Sequence, residues 1–164
     1  MARHVFYSLH YDGDRARAEL VRNIPGLVAH LEAKQAEWDV IKRSGDFALK
    51  RWFEQQIKGR SCLIVLIGAQ TASRPLVQYE IARWSKLKLG MLGVHIHQLK
   101  DAKGKPGVKG ANPFEQAASG LGALAAQIPV YEAPETDSKL AYRYIADNLA
   151  KWVESAVAKR PVYP

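Results

Sequence analysis

Cys62-Leu-Ile-Val-Leu-Ile67, then Gly68-Ala-Gln-Thr-Ala-Ser-Arg74, then Pro75-Leu-Val-Gln-Tyr-Glu-Ile-Ala-Arg-Trp-Ser-Lys-Leu87, is the stretch on which the reading of this chain turns. Six apolar residues without a polar interruption predict a strand buried on both faces, as in a parallel sheet covered by helices. The segment from Pro75 predicts a helix. At about 100° per residue, Leu76, Val77, Ile81, Trp84 and Leu87 fall on one arc, with Gln78, Ser85 and Lys86 opposite. Glu80 lies inside the apolar arc. A carboxylate there must be paired, protonated or turned to a cleft. Two readings stay open: a structural cap or ion pair with Arg83 or Arg74, and a functional group at the carboxyl edge of a buried strand, where open α/β sheets bind ligands.

Outward from this stretch, apolar runs and helical periods alternate. His4-Val-Phe-Tyr-Ser8 predicts a first strand. His10-Tyr-Asp-Gly-Asp14 then leads into a helix through Ala16, Leu20, Val21 and Ile24, with Asp12 or Asp14 as its cap and Pro25-Gly26 as its stop. Residues 27–37 read as a weak helix and Trp38-Asp-Val-Ile41 as a short second strand. Arg43-Ser-Gly-Asp46 reads as a turn with Asp46 as N-cap, followed by a helix marked by Phe47, Leu49, Trp52, Phe53 and Ile57 and ended by Gly59. Gly90 is expected to close the Glu80 helix. Met91-Leu-Gly-Val-His-Ile-His-Gln98 reads as a strand, residues 100–114 as a glycine- and lysine-rich solvated, mobile loop, and Ile128–Tyr131 as a short strand. Residues 138–158 form a final helix with Ala141, Ile145, Leu149, Trp152 and Ala156 on one stripe. The expected fold is α/β, a parallel sheet with helices on both faces plus a C-terminal amphipathic helix. No repeat or linker divides the chain, so residues 1–164 are expected to form one domain.

Composition narrows the function classes. Lys and Arg number 24 against 16 Asp and Glu, a formal charge of +8. That field suits an anionic nucleotide, an acidic partner or nucleic acid, but neither zinc-finger spacing nor an RNA-recognition aromatic motif is present, which disfavours nucleic acid. One cysteine, Cys62, lies mid-strand and implies a reducing compartment. No apolar run approaches the roughly 20 residues of a membrane helix. The expectation is a cytoplasmic protein without membrane contact.

Few motifs carry chemistry. The glycines at 104–110 lack the order of a phosphate-binding loop. His95 and His97 share a strand face but lack an evident third ligand, so no metal is expected. Trp52, Phe53, Trp84 and Trp152 read as core. Around Glu80, however, Ser8 ends the first strand, while Thr71, Ser73 and Arg74 lie between the central strand and the glutamate helix. In a parallel sheet these converge on one edge and suit a ribose-bearing ligand.

The order His4–Ser8, Ser44-Gly-Asp-Phe-Ala-Leu, Ile57-Lys-Gly-Arg-Ser-Cys-Leu-Ile-Val-Leu-Ile-Gly68 and Thr71-Ala-Ser-Arg-Pro-Leu-Val-Gln-Tyr-Glu-Ile81 resembles the TIR (Toll/interleukin receptor) fold, a flavodoxin-like arrangement. With Leu92-Gly-Val-His-Ile-His-Gln-Leu-Lys-Asp101 and Gly110-Ala-Asn-Pro-Phe114, it is more narrowly similar to the prokaryotic TIR-like family that includes the signal-producing subunit of the Thoeris anti-phage system. The resemblance covers about residues 3–115 and leaves 116–164 as a family-variable extension. It implies cleavage of the nicotinamide–ribose bond of NAD+, with ADP-ribose passed to water or closed into a cyclic signal, and no cofactor beyond NAD+ as substrate. It implies Glu80 as the catalytic residue, places Ser8 and Asp12 in the neighbourhood of the first nucleotide-binding loop, and puts Arg43, Gly45 and Asp46 in a loop that completes the site on self-association; with Thr71, Ser73 and Arg74 from the strand-edge reading, Ser8 and Asp12 make up the expected substrate-binding set. It also implies a phage-derived trigger and an effector protein reached through the diffusible nucleotide. Where many TIR domains carry a Trp-Cys pair before the glutamate, this chain has Pro75-Leu-Val-Gln-Tyr79. Two alternatives remain at this point: a non-catalytic TIR-type interaction module, and a flavodoxin-like nucleotide-binding regulator in which Glu80 is structural.

Overall fold

The computed structural model describes residues 2–30 and 35–159. Its centre is the predicted apolar strand β3 (Cys62–Ile67), buried at every position. On one side β3 pairs with β1 (Arg3–Ser8), which pairs with β2 (Leu27–Ala29); on the other it pairs with β4 (Gly90–His95) and then β5 (Val130–Tyr131). All pairings are parallel, and the order β2-β1-β3-β4-β5 reverses direction between β1 and β3. Such a switch point opens a crevice beyond the strand ends. The register Ser8↔Val65 brings the end of β1 beside β3 at that crevice.

Two apolar layers enclose the sheet. One holds Val5, Ile64, Leu66 and Leu92 against α1 (Tyr11–Arg22) and α5 (Ser138–Ala158). The other holds Phe6, Leu63, Val65 and Met91 against α3 (Asp46–Gln56) and α4 (Pro75–Leu87). Burying each such side chain contributes about 1.5–3 kcal/mol, which is why the strand period dominates the fold. The α5 stripe is buried as its spacing implies, from Ala141 to Ala156. No described helix is long and apolar enough to cross a membrane.

Several local expectations change. Residues 27–29 are a strand, and the helical reading of 31–34 lies outside the described residues. Trp38-Asp-Val-Ile41 belongs to a helix, α2 (Gln35–Arg43), with Trp38 buried and Val40 exposed. Its β-branched residues favour a strand locally, but Trp38 reaches Tyr11 and Trp52 only from a helical face, and packing overrides propensity. Neither Asp12 nor Asp14 caps α1; His10 is the N-cap, and both aspartates sit in the first turn. Asp46 likewise opens α3 instead of capping it, since Gly45 at φ 93° is the N-cap. Phe47 is 78% exposed and contributes nothing to the core. The Glu80 helix ends at Lys88 in the left-handed conformation, and Gly90 instead starts β4, where a Cβ would lie 2.6 Å from the Ala156 carbonyl oxygen. The strand expected to reach Gln98 ends at His95, although Ile96 still donates to Ile67.

The 100–114 loop is tethered through its backbone. Asp101 accepts from the Lys103 and Lys105 amides at 2.9 Å each, and Gly107 donates to His97 at 2.7 Å. Arg17 donates to the carbonyls of Leu99 and Lys105. The lysine side chains lie outward, and Lys109 pairs with Glu132 at 2.7 Å. Residues 113–127 form three short 3-10 turns, the first capped by the Asn112 side chain.

Candidate active site

Glu80 sits on the inner face of α4, 3% exposed, because the Val77–Ile81–Trp84 stripe that seats the helix on β3 carries it inward. Its one hydrogen bond among the described residues comes from the Ser8 hydroxyl, which donates to Oε1 at 2.8 Å. Neither arginine offered by the structural reading reaches it. Arg83 binds Glu54 at 2.7 Å, and Arg74 Nη1 lies 3.3 Å from His10 Nε2. Burial pushes the Glu80 carboxyl up to about 8, with the Ser8 hydrogen bond pulling the other way. A buried acid with one neutral partner has little to hold its charge.

Aromatic and apolar groups surround it. Glu80 lines a recess of about 20 Å³ together with Phe6, His30, Trp38, Trp52 and Leu76. Phe6 stacks on His30 with centroids 4.0 Å apart, and Trp52 meets Phe6, His30 and Trp38 edge-on at 5.8–6.1 Å. His30 stays neutral: burial holds its pKa down at about 2, helped by the Arg22 guanidinium. Its Nδ1 accepts from the Tyr7 amide at 3.3 Å. The recess, which Arg22 also lines, has room for about one water molecule, so a larger ligand meets it from outside.

A larger cavity of about 330 Å³ opens outside this recess and shares Leu9, Tyr11, Trp38 and Leu76 with it as a common wall. Its polar lining is Asp12, Lys42, Asp46, Lys50, Arg74 and His10. Lys42 of α2 pairs with Asp12 of α1 at 2.5 Å, which holds the Asp12 carboxyl below its usual range. The volume falls within the range of small-molecule sites. Glu80 is thus the floor of a small recess beneath a wider, charged antechamber.

The sequence-derived candidates divide accordingly. Ser8 touches Glu80, while Asp12, Arg74 and Asp46 line the outer cavity. Thr71 is fully buried, and its hydroxyl accepts from the Gly68 amide at 2.7 Å, closing the turn after β3. Ser73 is exposed, with its hydroxyl donating to the Gln70 carbonyl. Neither lines either pocket. Arg43 and Gly45 are exposed at the α2–α3 corner, beside the cavity mouth formed by Lys42 and Asp46. Trp52, expected in the core, is a pocket wall. Phe6, His30, Trp38 and Lys50 went unnoticed as site residues, since they come from four separate segments; the signal was the density of aromatics between 38 and 53. Cys62 is buried, and its thiol is pushed up to about 12, which leaves it inert. The His95 and His97 rings meet edge-on at 5.6 Å, and no cluster of three or more metal-ligating side chains occurs among the described residues.

Comparison with known proteins places this geometry in context. The sequence model for the TIR-like domain of Thoeris protein ThsB matches residues 6–101, which contain the end of β1, all of β3 and α4, and every wall of the Glu80 recess. A Bacillus cereus (strain MSX-D12) protein named "Putative cyclic ADP-D-ribose synthase ThsB1" is 34% identical over 139 residues, spanning 80% of this chain and 71% of that protein.

Proposed function

The chain belongs to the Thoeris ThsB TIR-like family, and we propose that it cleaves the nicotinamide–ribose bond of NAD+ to make an ADP-ribose-derived, cyclic signal in antiviral defence. The observation that carries this reading is Glu80, a buried carboxyl with a hydroxyl as its one partner, at the base of an aromatic recess beside the β1–β3 switch point.

The chemistry suits one carboxylate. Glycosidases pair two acids because one must protonate a poor leaving group. Nicotinamide in NAD+ is already a pyridinium, so the C1′–N bond breaks with its electron pair going to a ring that departs neutral. Positive charge then moves onto the ribose. Water, or a nucleophile of the same ADP-ribose, captures C1′ and loses a proton. Glu80, oriented by Ser8, accepts from ribose hydroxyls and stabilises the developing charge. Preorganised electrostatics of this kind are worth about 3–4 kcal/mol.

The pyridinium also resolves the cost of an isolated acid. A cation brought up to the wall that the recess shares with the outer cavity favours ionised Glu80, so substrate binding and proton release are coupled. Trp38, which lines both the recess and the outer cavity, is an aromatic group available to the ring there. The reading extends to self-association through Arg43, Gly45 and Asp46, since the outer cavity is open and the corner that carries them stands at its mouth.

Nicotinamide release from NAD+ by purified protein at high concentration tests the assignment. Glu80→Gln keeps shape but removes charge, and should lower kcat/KM by about 10²–10³-fold with the fold intact. Undiminished release by that variant would overturn the catalytic role of Glu80.

A further inference from the structure

The outer cavity is unequally charged. Of its three cations, Lys42 is neutralised by Asp12, while Lys50 and Arg74 have no carboxylate partner among the described residues. Lys50 extends over the face of Tyr79, its Nζ 5.0 Å from the ring centroid, and Tyr79 is fixed by its hydroxyl to Glu54 at 3.1 Å. Arg74 is held from the opposite side by His10 Nε2. Burial and the Arg74 charge keep His10 below its ordinary pKa, so its neutral ring accepts from the guanidinium without competing for an anion. Two oriented cations without a salt bridge among the described residues therefore line one cavity, against the single remaining carboxylate of Asp46, and Arg74 also precedes the positive end of the 13-residue α4 dipole. The lysine-rich 100–114 loop, by contrast, lines no part of it.

We propose that Arg74 and Lys50 form a diphosphate subsite. Arg74 supplies the planar fork that suits phosphate oxygens and Lys50 a point charge on an aromatic support. A nucleoside diphosphate group lying there leaves the attached ribose to rest against the shared wall, on the Glu80 side of the cavity. Asp46, on the rim, is available to accept from the distal sugar's hydroxyls, as acidic groups do in other dinucleotide sites. The Asp12–Lys42 pair lines the same cavity. This inference rests on the NAD+ reading for its ligand and concerns a different set of contacts from Glu80.

Isothermal titration of the full chain with ADP and with adenosine tests it. The wild type should bind ADP at least about tenfold more tightly than adenosine, with affinity falling as salt rises from low to physiological strength. Arg74→Gln/Lys50→Gln should reduce ADP to the adenosine level and raise KM for NAD+ with little change in kcat. Lys151→Gln, an exposed α5 substitution outside the cavity, should leave ADP affinity unchanged and so controls for net charge. Equal affinity for ADP and adenosine in the wild type, or an equal loss in Lys151→Gln, would overturn the subsite. ADP binding that is lost in the double variant, in a protein that never cleaves NAD+, would uphold the subsite and sink the catalytic reading. NAD+ cleavage with indifference to ADP would do the reverse.

Discussion

Asp14 and Glu80 are, among the described residues, the two buried carboxyls beside the carboxyl edge of the sheet, and they have opposite surroundings. Asp14, on the helix after β1, is 5% exposed and accepts from Arg17 Nη1 at 3.0 Å. Arg17 in turn donates to the Leu99 and Lys105 carbonyls and lies 3.7 Å from Asp101, so one ion pair ties α1 to the 99–105 chain. Burial pushes the Asp14 carboxyl up while Arg17 pulls it back. Glu80, on the helix after β3, is equally buried but has only a serine hydroxyl. A paired carboxylate of this kind holds chain segments together; the unpaired one costs stability and is left for a ligand to satisfy.

The contrast is broken most directly at Arg17. Arg17→Ala leaves Asp14 buried without its cation and removes the side-chain donor to the Leu99 carbonyl, while the Lys105 carbonyl keeps the Asp101 amide; the loss should destabilise the fold by about 3–5 kcal/mol. Thermal and urea unfolding both read this. Gly68 cannot adapt to the change, since any side chain there would collide with the Asp14 carboxylate. An unchanged unfolding midpoint in Arg17→Ala would make Asp14 a second tolerated lone acid, and the distinction between the two sites would fail.

Glu80 should respond with the opposite sign. Its folded pKa, about 8, stands above the ordinary 4.5, so the native state holds a proton that the unfolded chain releases. Stability linked to this group is complete below the unfolded pKa, declines as pH rises toward 8, and levels off beyond it. Glu80→Gln removes the dependence. The variant should be more stable than the parent by on the order of 4 kcal/mol near pH 8, with the difference vanishing near pH 4. A lower midpoint for Glu80→Gln at pH 8 would show that the carboxylate stabilises the fold, as an ion pair does.

The sequence displays this contrast unevenly. Glu80 stands out because β3 and α4 are set by local patterns: six apolar residues in a row, and a helical stripe that one acid interrupts. α5 is equally legible from its stripe. Trp38 is not, since its neighbours Val40 and Ile41 favour a strand and only contacts to Tyr11 and Trp52 select the helix. The aromatic recess combines residues 6, 30, 38, 52 and 80, and such a set becomes visible only when the parallel crossovers bring its members together. Thr71 was misread for a related reason. A hydroxyl after a strand suits a ligand or a tight turn equally, and here the Gly68 amide takes it.

The finest adjustment of the contrast lies in Ser8, the one group that favours ionised Glu80 in the free protein. Ser8→Ala leaves the cavity shape nearly intact but removes a hydrogen bond to a charged acceptor, worth about 1.5–3 kcal/mol in favour of the anion. The Glu80 pKa should then rise by roughly one pH unit or more. Glycohydrolase activity at neutral pH should fall about tenfold, and the acidic limb of the kcat/KM profile should move upward by the same interval. Activity should recover in part at higher pH, where even the unsupported carboxyl ionises. A packing defect would lower the whole profile without displacing it. A displaced limb would therefore identify Ser8 as the positioning residue for the charge on Glu80, and a uniformly lowered profile would reduce it to a filler of space.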